Sequence, residues 1–185
     1  MLLLVYGLRR GEVLSLSWQD VDFDEGVIRV RRQLVRVGGQ LHLGPVKTRA
    51  GARELPLLGI AREALVEQDE RQVLGNSPTG WSREALVFTT AKRSPGRARN
   101  LARSFARIVR AAGLRPIRLH DLRHTTASLL KKLGVPARDA MVILGHSRIS
   151  VTLEIYTHVD EESRRHAVGR IDRLLSEPYR RAERA

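Results

Sequence analysis

The chain contains no cysteine, which excludes disulfides and thiolate metal sites and fits a reducing compartment. It has no long hydrophobic run. The longest, Leu2 to Tyr6, is far too short to cross a bilayer and lacks the charged flank and cleavage site of a signal peptide, so a soluble cytoplasmic protein with no membrane partner is expected. There is no Walker-type glycine-rich loop and no cluster of carboxylates, so neither a bound nucleotide triphosphate nor a carboxylate-held metal is expected. Internal repeats and low-complexity linkers are also missing. Lysine is scarce, 4 residues against 29 arginines, which suggests a GC-rich genome and says little about mechanism.

What is present is positive charge. The 33 Lys+Arg against 20 Asp+Glu give a net +13 and a pI near 11.3, an excess that calls for a polyanionic partner without specifying a fold. The excess is concentrated. Between Lys92 and Lys132 twelve basic residues face the single acid Asp121, which accounts for +11 of the +13. Charge gathered into one segment reads as a nucleic-acid face, although a solvated helix surface would account for about half of these arginines on general grounds. With 185 residues and 42% hydrophobic content, the chain can build one domain with a full-sized core.

Periodicity supplies a coarse outline. Met1 to Gly7 reads as the last turns of a helix that begins further upstream, and Arg9-Arg10-Gly11-Glu12 opens a second helix carrying Val13, Leu14, Leu16 and Trp18. From Val27 the period becomes two. Val27–Arg32 and its continuation Leu34–Val37 run to a turn at Gly38-Gly39, Gln40–Leu43 returns, and Arg53–Leu57 follows a turn over Lys47–Gly51. Ile60–Leu74 reads as an amphipathic helix with Ile60, Ala64, Leu65, Val73 and Leu74 apolar, and Ala85–Phe88 as a short strand. Arg99–Ala112 is a clear helix with one stripe of Leu101, Phe105, Ile108 and Ala112 and another of Arg99, Arg103, Arg107 and Arg110. Helices follow over Leu119–Leu133, Pro136–Leu144, Ile149–Thr157 and Asp160–Leu175, the third of these four carrying Tyr156. The outline is one mostly helical domain with a small antiparallel sheet on one side.

Cleaving a phosphodiester without a metal requires fixed cations facing two non-bridging oxygens, a hydroxyl nucleophile and an acid for the departing oxygen. Arginine suits the first role because its planar fork matches two oxygens at once. The chain offers Arg9, Lys47, His120, Arg123, His146 and Tyr156 among its residues of these types, spread over nearly its whole length, so only folding could bring them together.

Five blocks, Gly7-Leu-Arg9-Arg-Gly-Glu12, Lys47-Thr48 in a hairpin, His120-Asp-Leu-Arg123-His-Thr, Leu144-Gly-His146-Ser and Tyr156, resemble the tyrosine recombinase (phage integrase) family in order and approximate spacing. Each block alone is weak, but together they are highly specific, and they span roughly residues 1 to 160. The resemblance implies an α+β, mostly helical catalytic-domain fold with a small antiparallel sheet of about three strands, occupying residues 1–176, with 177–185 a flexible tail. It further implies that Tyr156 attacks a scissile phosphate to form a 3′-phosphotyrosine bond, with Arg9 and Arg123 clamping the non-bridging oxygens. Lys47 would protonate the leaving 5′-oxygen, His120 would assist proton transfer from the tyrosine, and His146 would add a hydrogen bond to the phosphate. Cofactors are then none, and the partners are double-stranded DNA and further copies of the chain in a tetramer on it. Lys92, Arg93, Arg99, Arg103, Arg107 and Arg110 are the candidate DNA-binding cations.

Other readings compete with parts of this one. Taken singly, Tyr156 reads as a core tyrosine, Lys47 as a solvated charge and Arg9 as helix-start decoration. Glu12 reads as a buttress for an arginine, His124 as a packed neighbour of the site, and His42 and His158 as surface residues. His120 and His124 at i and i+4, with His146 as a third ligand, match the spacing of a zinc helix, but Arg123 lies between them on nearly the same face. Members of the family normally carry an N-terminal DNA-binding domain and further helix before the Gly-Leu-Arg block, and more often Thr where Tyr6 stands. A catalytically incomplete DNA-binding fragment, or a nicking-closing enzyme of the related type IB topoisomerase class, is therefore the alternative expectation. The helix after Tyr156 would pack on its own domain or on a neighbouring protomer through Ala167, Ile171 and Leu174.

Overall fold

Gly7 turns the chain with φ 59°, ending helix α1 (Leu2–Val5) and aiming Arg9 at the start of α2 (Arg10–Ser15). A Cβ at Gly7 would stand 2.5 Å from Leu144, so the turn and the close approach of a distant helix both require glycine. At α2 the Glu12 carboxylate accepts from the Arg9 backbone N–H at 2.9 Å, satisfying one of the helix's free N-terminal donors. The computed structural model describes residues 1–74, 82–90, 94–156, 165 and 168–171.

After a short 3₁₀ turn (Trp18–Asp20), strands β1 (Val21–Asp22), β2 (Val27–Val30) and β5 (Arg53–Pro56) form an antiparallel sheet in the order β1-β2-β5, with Ile28 opposite Leu55 and Val30 opposite Arg53. Strands β3 (Arg32–Val37) and β4 (Gln40–Pro45) make a separate two-stranded ribbon turned by Gly38 and Gly39. The run expected as one strand from Val27 thus breaks at Arg31. The cause is a side-chain clamp, because Arg31 and Arg32 both pair with buried Asp20 at 3.0 and 2.9 Å. Ser15 Oγ also donates to the Arg32 carbonyl at 2.7 Å, which bends the chain out of the first ladder.

The sheet buries one face, Ile28, Val30 and Leu55, against Leu2, Tyr6, Leu8, Val13, Leu16, Trp18, Leu65 and Val87. Tyr6, 3% exposed, is a core pin: its hydroxyl donates to the Pro56 carbonyl at 2.8 Å and accepts from Leu58 N–H at 2.9 Å. Helix α3 (Gly59–Leu74) covers this core with a different face from the one expected. Ala61 and Leu65 are buried, whereas Ile60, Val73 and Leu74 are exposed. The inward face continues in polar form, with Gln68 and Gln72 donating to the Val87 carbonyl and Gln72 accepting from Trp18 Nε1 at 2.8 Å. Amides in core positions hide a helix from a reading based on apolar spacing. Ala85–Phe88 is an isolated bridge, Leu86 to Ser17, rather than a strand.

The second layer is helical. Helix α4 (Ala98–Ala111) partly covers Leu101 and Phe105 as expected, but in its last turn it buries Val109 and leaves Ile108, 66% exposed, and Ala112 outside. Helix α5 (Asp121–Lys132) packs on α1, α6 (Ala137–Leu144) and α7 (Ile149–Tyr156), with Ala127, Ala140, Leu144 and Thr152 fully covered between them. Pro136 caps α6, and Gly145 ends it in the left-handed region at φ 67°. In the expected helix over Asp160–Leu175, residues 165 and 168–171 are helical, and Val168 and Ile171 are exposed. Ala167, Leu174 and the tail 177–185 lie outside the described residues. Among the described residues no helix is long and apolar enough to cross a membrane.

Candidate active site

Arg9 sits where the two layers meet. As the N-cap of α2 it is held by Glu12, whose Oε1 receives Arg9 Nη1 at 2.9 Å, while Nη2 donates to the Gly145 carbonyl at 2.8 Å. Glu12 is 3% exposed and also binds Arg53 Nη2 at 3.1 Å. Burial opposes ionisation of Glu12, but Arg53 and Arg9 outweigh it and hold the carboxyl below its usual range. Glu12 is therefore a buttress for two arginines.

Arg123 projects from the first turns of α5 and is 6% exposed. Its Nη1 donates to the Gly7 carbonyl at 2.5 Å, and its Nη2 has no hydrogen-bond partner among the described residues. Burial, and then the neighbouring charge of Arg9, push its pKa down to about 10. A desolvated guanidinium beside a second one is costly unless an anion faces both.

His120, the residue preceding α5, is exposed and packs edge-on against His124, with ring centroids 5.2 Å apart at 87°. Partial burial, then His124 and Arg123, lower its pKa, so the imidazole is held toward its neutral form. His124 is itself exposed, not packed inside. His146, just past Gly145, is 7% exposed and its Nδ1 shares a 2.8 Å hydrogen bond with Thr152 Oγ1 of α7. Burial, followed by Arg123, Arg9 and Arg53, pushes its pKa down to about 4, so it is neutral at ordinary pH. Among the described residues no three His, Asp or Glu side chains converge in metal-binding geometry, so the zinc arrangement of His120, His124 and His146 does not form there.

Two cavities meet at Arg9. The larger, about 830 Å³, is lined by Arg9, His120 and Arg123, with Arg10, Arg36, Arg97, Arg99 and Arg103 also on its walls. The smaller, about 220 Å³, is lined by Arg9, Glu12, Lys47, Thr48 and Ser147. Lys47 is exposed and follows the β3–β4 ribbon, in the link to β5, rather than occupying the tip of a hairpin. Arg99, Arg103, Arg107 and Arg110 are all exposed on α4, but only the first two line the larger cavity. Lys92 and Arg93 lie outside the described residues.

Tyr156 ends α7 and lines neither cavity. Its hydroxyl is enclosed, has no partner among the described residues, and is made less acidic by burial. The packing of α7 on α5 and α6 places it in the same helical layer as Arg123 and His146. Two participants escaped sequence reasoning, Arg53 and Thr152. Arg53 shares a strand face with inward-pointing Leu55, and a charge at an inward position is the signal that would have flagged it. Thr152 left no signal beyond its place four residues before Tyr156 on one helix face.

The fold is that of a tyrosine recombinase catalytic domain. The Tn1549 transposon integrase, solved in complex with circular intermediate DNA, superposes with a TM-score of 0.78 at 28% identity, over 92% of this chain and 57% of that one. The XerA recombinase superposes with a TM-score of 0.68 at 24% identity, over 91% of this chain and 54% of that one, a likeness of fold. The sequence profile of the phage integrase family matches residues 1–163, and the chain belongs to that family. A tyrosine recombinase XerC-like protein of Caldanaerobacter subterraneus subsp. tengcongensis is 32% identical over 91% of this chain and 47% of its own length. The ICEBs1 integrase of Bacillus subtilis is 28% identical over 91% and 46% respectively. The chain thus spans about half the length of the curated relatives it matches.

Proposed function

We propose that this chain is the strand-transferring domain of a site-specific DNA recombinase. The observation that carries the reading is Arg123, a buried guanidinium whose Nη2 has no partner among the described residues and which lines the same cavity as Arg9 and His120. A phosphodiester set between the two arginines would satisfy that donor and relieve their mutual repulsion. As negative charge grows on the non-bridging oxygens during attack, the same contacts strengthen, which is the condition for catalysis.

In this reading the Tyr156 oxygen attacks phosphorus and gives up its proton with help from His120. The bond to the 5′-oxygen breaks, and Lys47 delivers a proton to that oxygen from the smaller cavity. The products are a 3′-phosphotyrosine and a free 5′-hydroxyl. Return attack by a 5′-hydroxyl, of the same strand or another, restores the diester. Bond energy stays in the covalent link throughout, so the steps need only groups of the protein. His146, neutral and held by Thr152, presents a donor to the phosphate without adding a third charge. The arginines of the larger cavity bind the flanking duplex, and the working assembly is a tetramer on double-stranded DNA in a bacterial cytoplasm. The Tn1549 integrase, solved on DNA, supports the choice of partner.

Incubation with a nicked suicide duplex tests this. Wild-type protein should form a denaturant-resistant protein–DNA adduct, and Tyr156→Phe should form none while binding the duplex as tightly. Equal capture by the variant would remove Tyr156 from the role of nucleophile.

A further inference from the structure

Arg53 lies outside the phosphate-binding set, yet three of its nitrogens bind three segments that carry members of that set. Its side chain is 4% exposed. Nη2 pairs with Glu12 Oε2 at 3.1 Å, Nε donates to the Ile143 carbonyl at 2.8 Å near the end of α6, and Nη1 donates to the Gly51 carbonyl at 2.8 Å. Glu12 grips Arg9, and Arg9 reaches the Gly145 carbonyl, so the contacts close a ring: Arg53, Glu12, Arg9, Gly145 and back through the α6 terminus to Arg53. The guanidinium lies flush on Gly145, where a Cβ would come within 2.6 Å of Nη1. The third bond fixes the end of the Lys47–Gly51 turn.

We propose that Arg53 is a positioning residue that locks Arg9, the Lys47 turn and the Gly145–His146 turn into one rigid arrangement. This rests on the strand-transfer reading given above. A residue that only neutralised buried Glu12 would need one contact. Arg53 makes three, to groups 12, 51 and 143 in the chain, in the planar fork that lysine cannot reproduce. Reacting groups held by such a lock lose about a hundredfold in rate when displaced by about 1 Å.

Arg53→Lys separates positioning from charge neutralisation, because the ammonium can still pair with Glu12 but cannot serve Ile143 and Gly51 as well. On a nicked suicide duplex at saturation, the rate constant for adduct formation should fall roughly ten- to a hundredfold with the dissociation constant for DNA unchanged. Without DNA, the Arg9 guanidinium Nη resonances, held in wild type by Glu12 and the Gly145 carbonyl, should broaden in the variant. Wild-type capture rates in Arg53→Lys, or an unaltered Arg9 resonance, would overturn the proposal. Should Arg53→Lys fail to fold, Arg53→Gln, which leaves Glu12 in place to hold Arg9 but removes the three-way fork, takes its place with the same expected loss and the same overturning results. Failure of the wild-type protein itself to form an adduct would instead sink the strand-transfer reading, and the Arg9 resonance would still decide the role of Arg53.

Discussion

Arg9 and Gly145 stand 136 residues apart in the chain and are joined by a 2.8 Å hydrogen bond from Nη2 to the carbonyl. The bond depends on Gly145 occupying the left-handed region, φ 67°, with its α-carbon pressed against Arg53. Gly145→Ala should destabilise the fold by at least about 2 kcal/mol, combining backbone strain with displacement of the guanidinium. Gly38→Ala is the control. It shares the positive φ, 55°, but a Cβ there meets nothing within 4 Å, so about 1 kcal/mol is expected. Denaturant midpoints measure both, and equal losses would show that packing at Gly145 adds nothing.

His146 gives the stability a pH dependence with a definite sign. Its folded pKa, about 4, lies below the ordinary imidazole value of 6.5, so between these two the unfolded chain binds a proton that the folded chain refuses. Stability therefore falls as pH drops from about 6.5 toward 4, by on the order of 3 kcal/mol from this group alone. The lowered pKa of His120 acts in the same direction. The His146→Asn variant should flatten much of the slope. An NMR titration placing the His146 midpoint near 6.5 would contradict the expectation.

Arg123 should show stability and activity moving apart. Nη2 is buried without a partner among the described residues, so Arg123→Met removes a desolvated charge at the loss of one bond to the Gly7 carbonyl. Thermal stability should change by less than about 1 kcal/mol, while adduct formation falls by two to three powers of ten. A variant destabilised by several kcal/mol would mean that Arg123 is chiefly structural.

The salt dependence of DNA binding should distinguish the arginines of α4. Arg103 lines the larger cavity and Arg110 does not. Arg103→Gln should reduce the slope of log affinity against log salt by about 1, and Arg110→Gln should leave it unchanged. Equal slopes in the two variants would assign both residues to a solvated surface.

Local sequence carried much of this molecule. Gly7, Gly38-Gly39, Pro136 and Gly145 mark turns that backbone sterics allow few other residues to make, and the alternation from Val27 marks the strands. Of the groups named by the five blocks, Arg9, Lys47, His120 and Arg123 line the two cavities, whereas His146 and Tyr156 line neither. Which face of a helix is buried was less legible. Gln68 and Gln72 of α3 sit in core positions because backbone carbonyls and an indole N–H await them there, and no apolar pattern records that.

Only the tertiary structure decided how the charges are held. Arg53 looks like any strand arginine until β5 meets α6, and Thr152 like any helix threonine until His146 turns toward it. The sequence by itself determined the chemical parts and the turns, because both follow from the properties of single residues and near neighbours. Convergence of Glu12 and Gly145 on Arg9, with Arg53 bound behind Glu12, depends on groups far apart in the chain, whose bonds exist only when the two layers pack together.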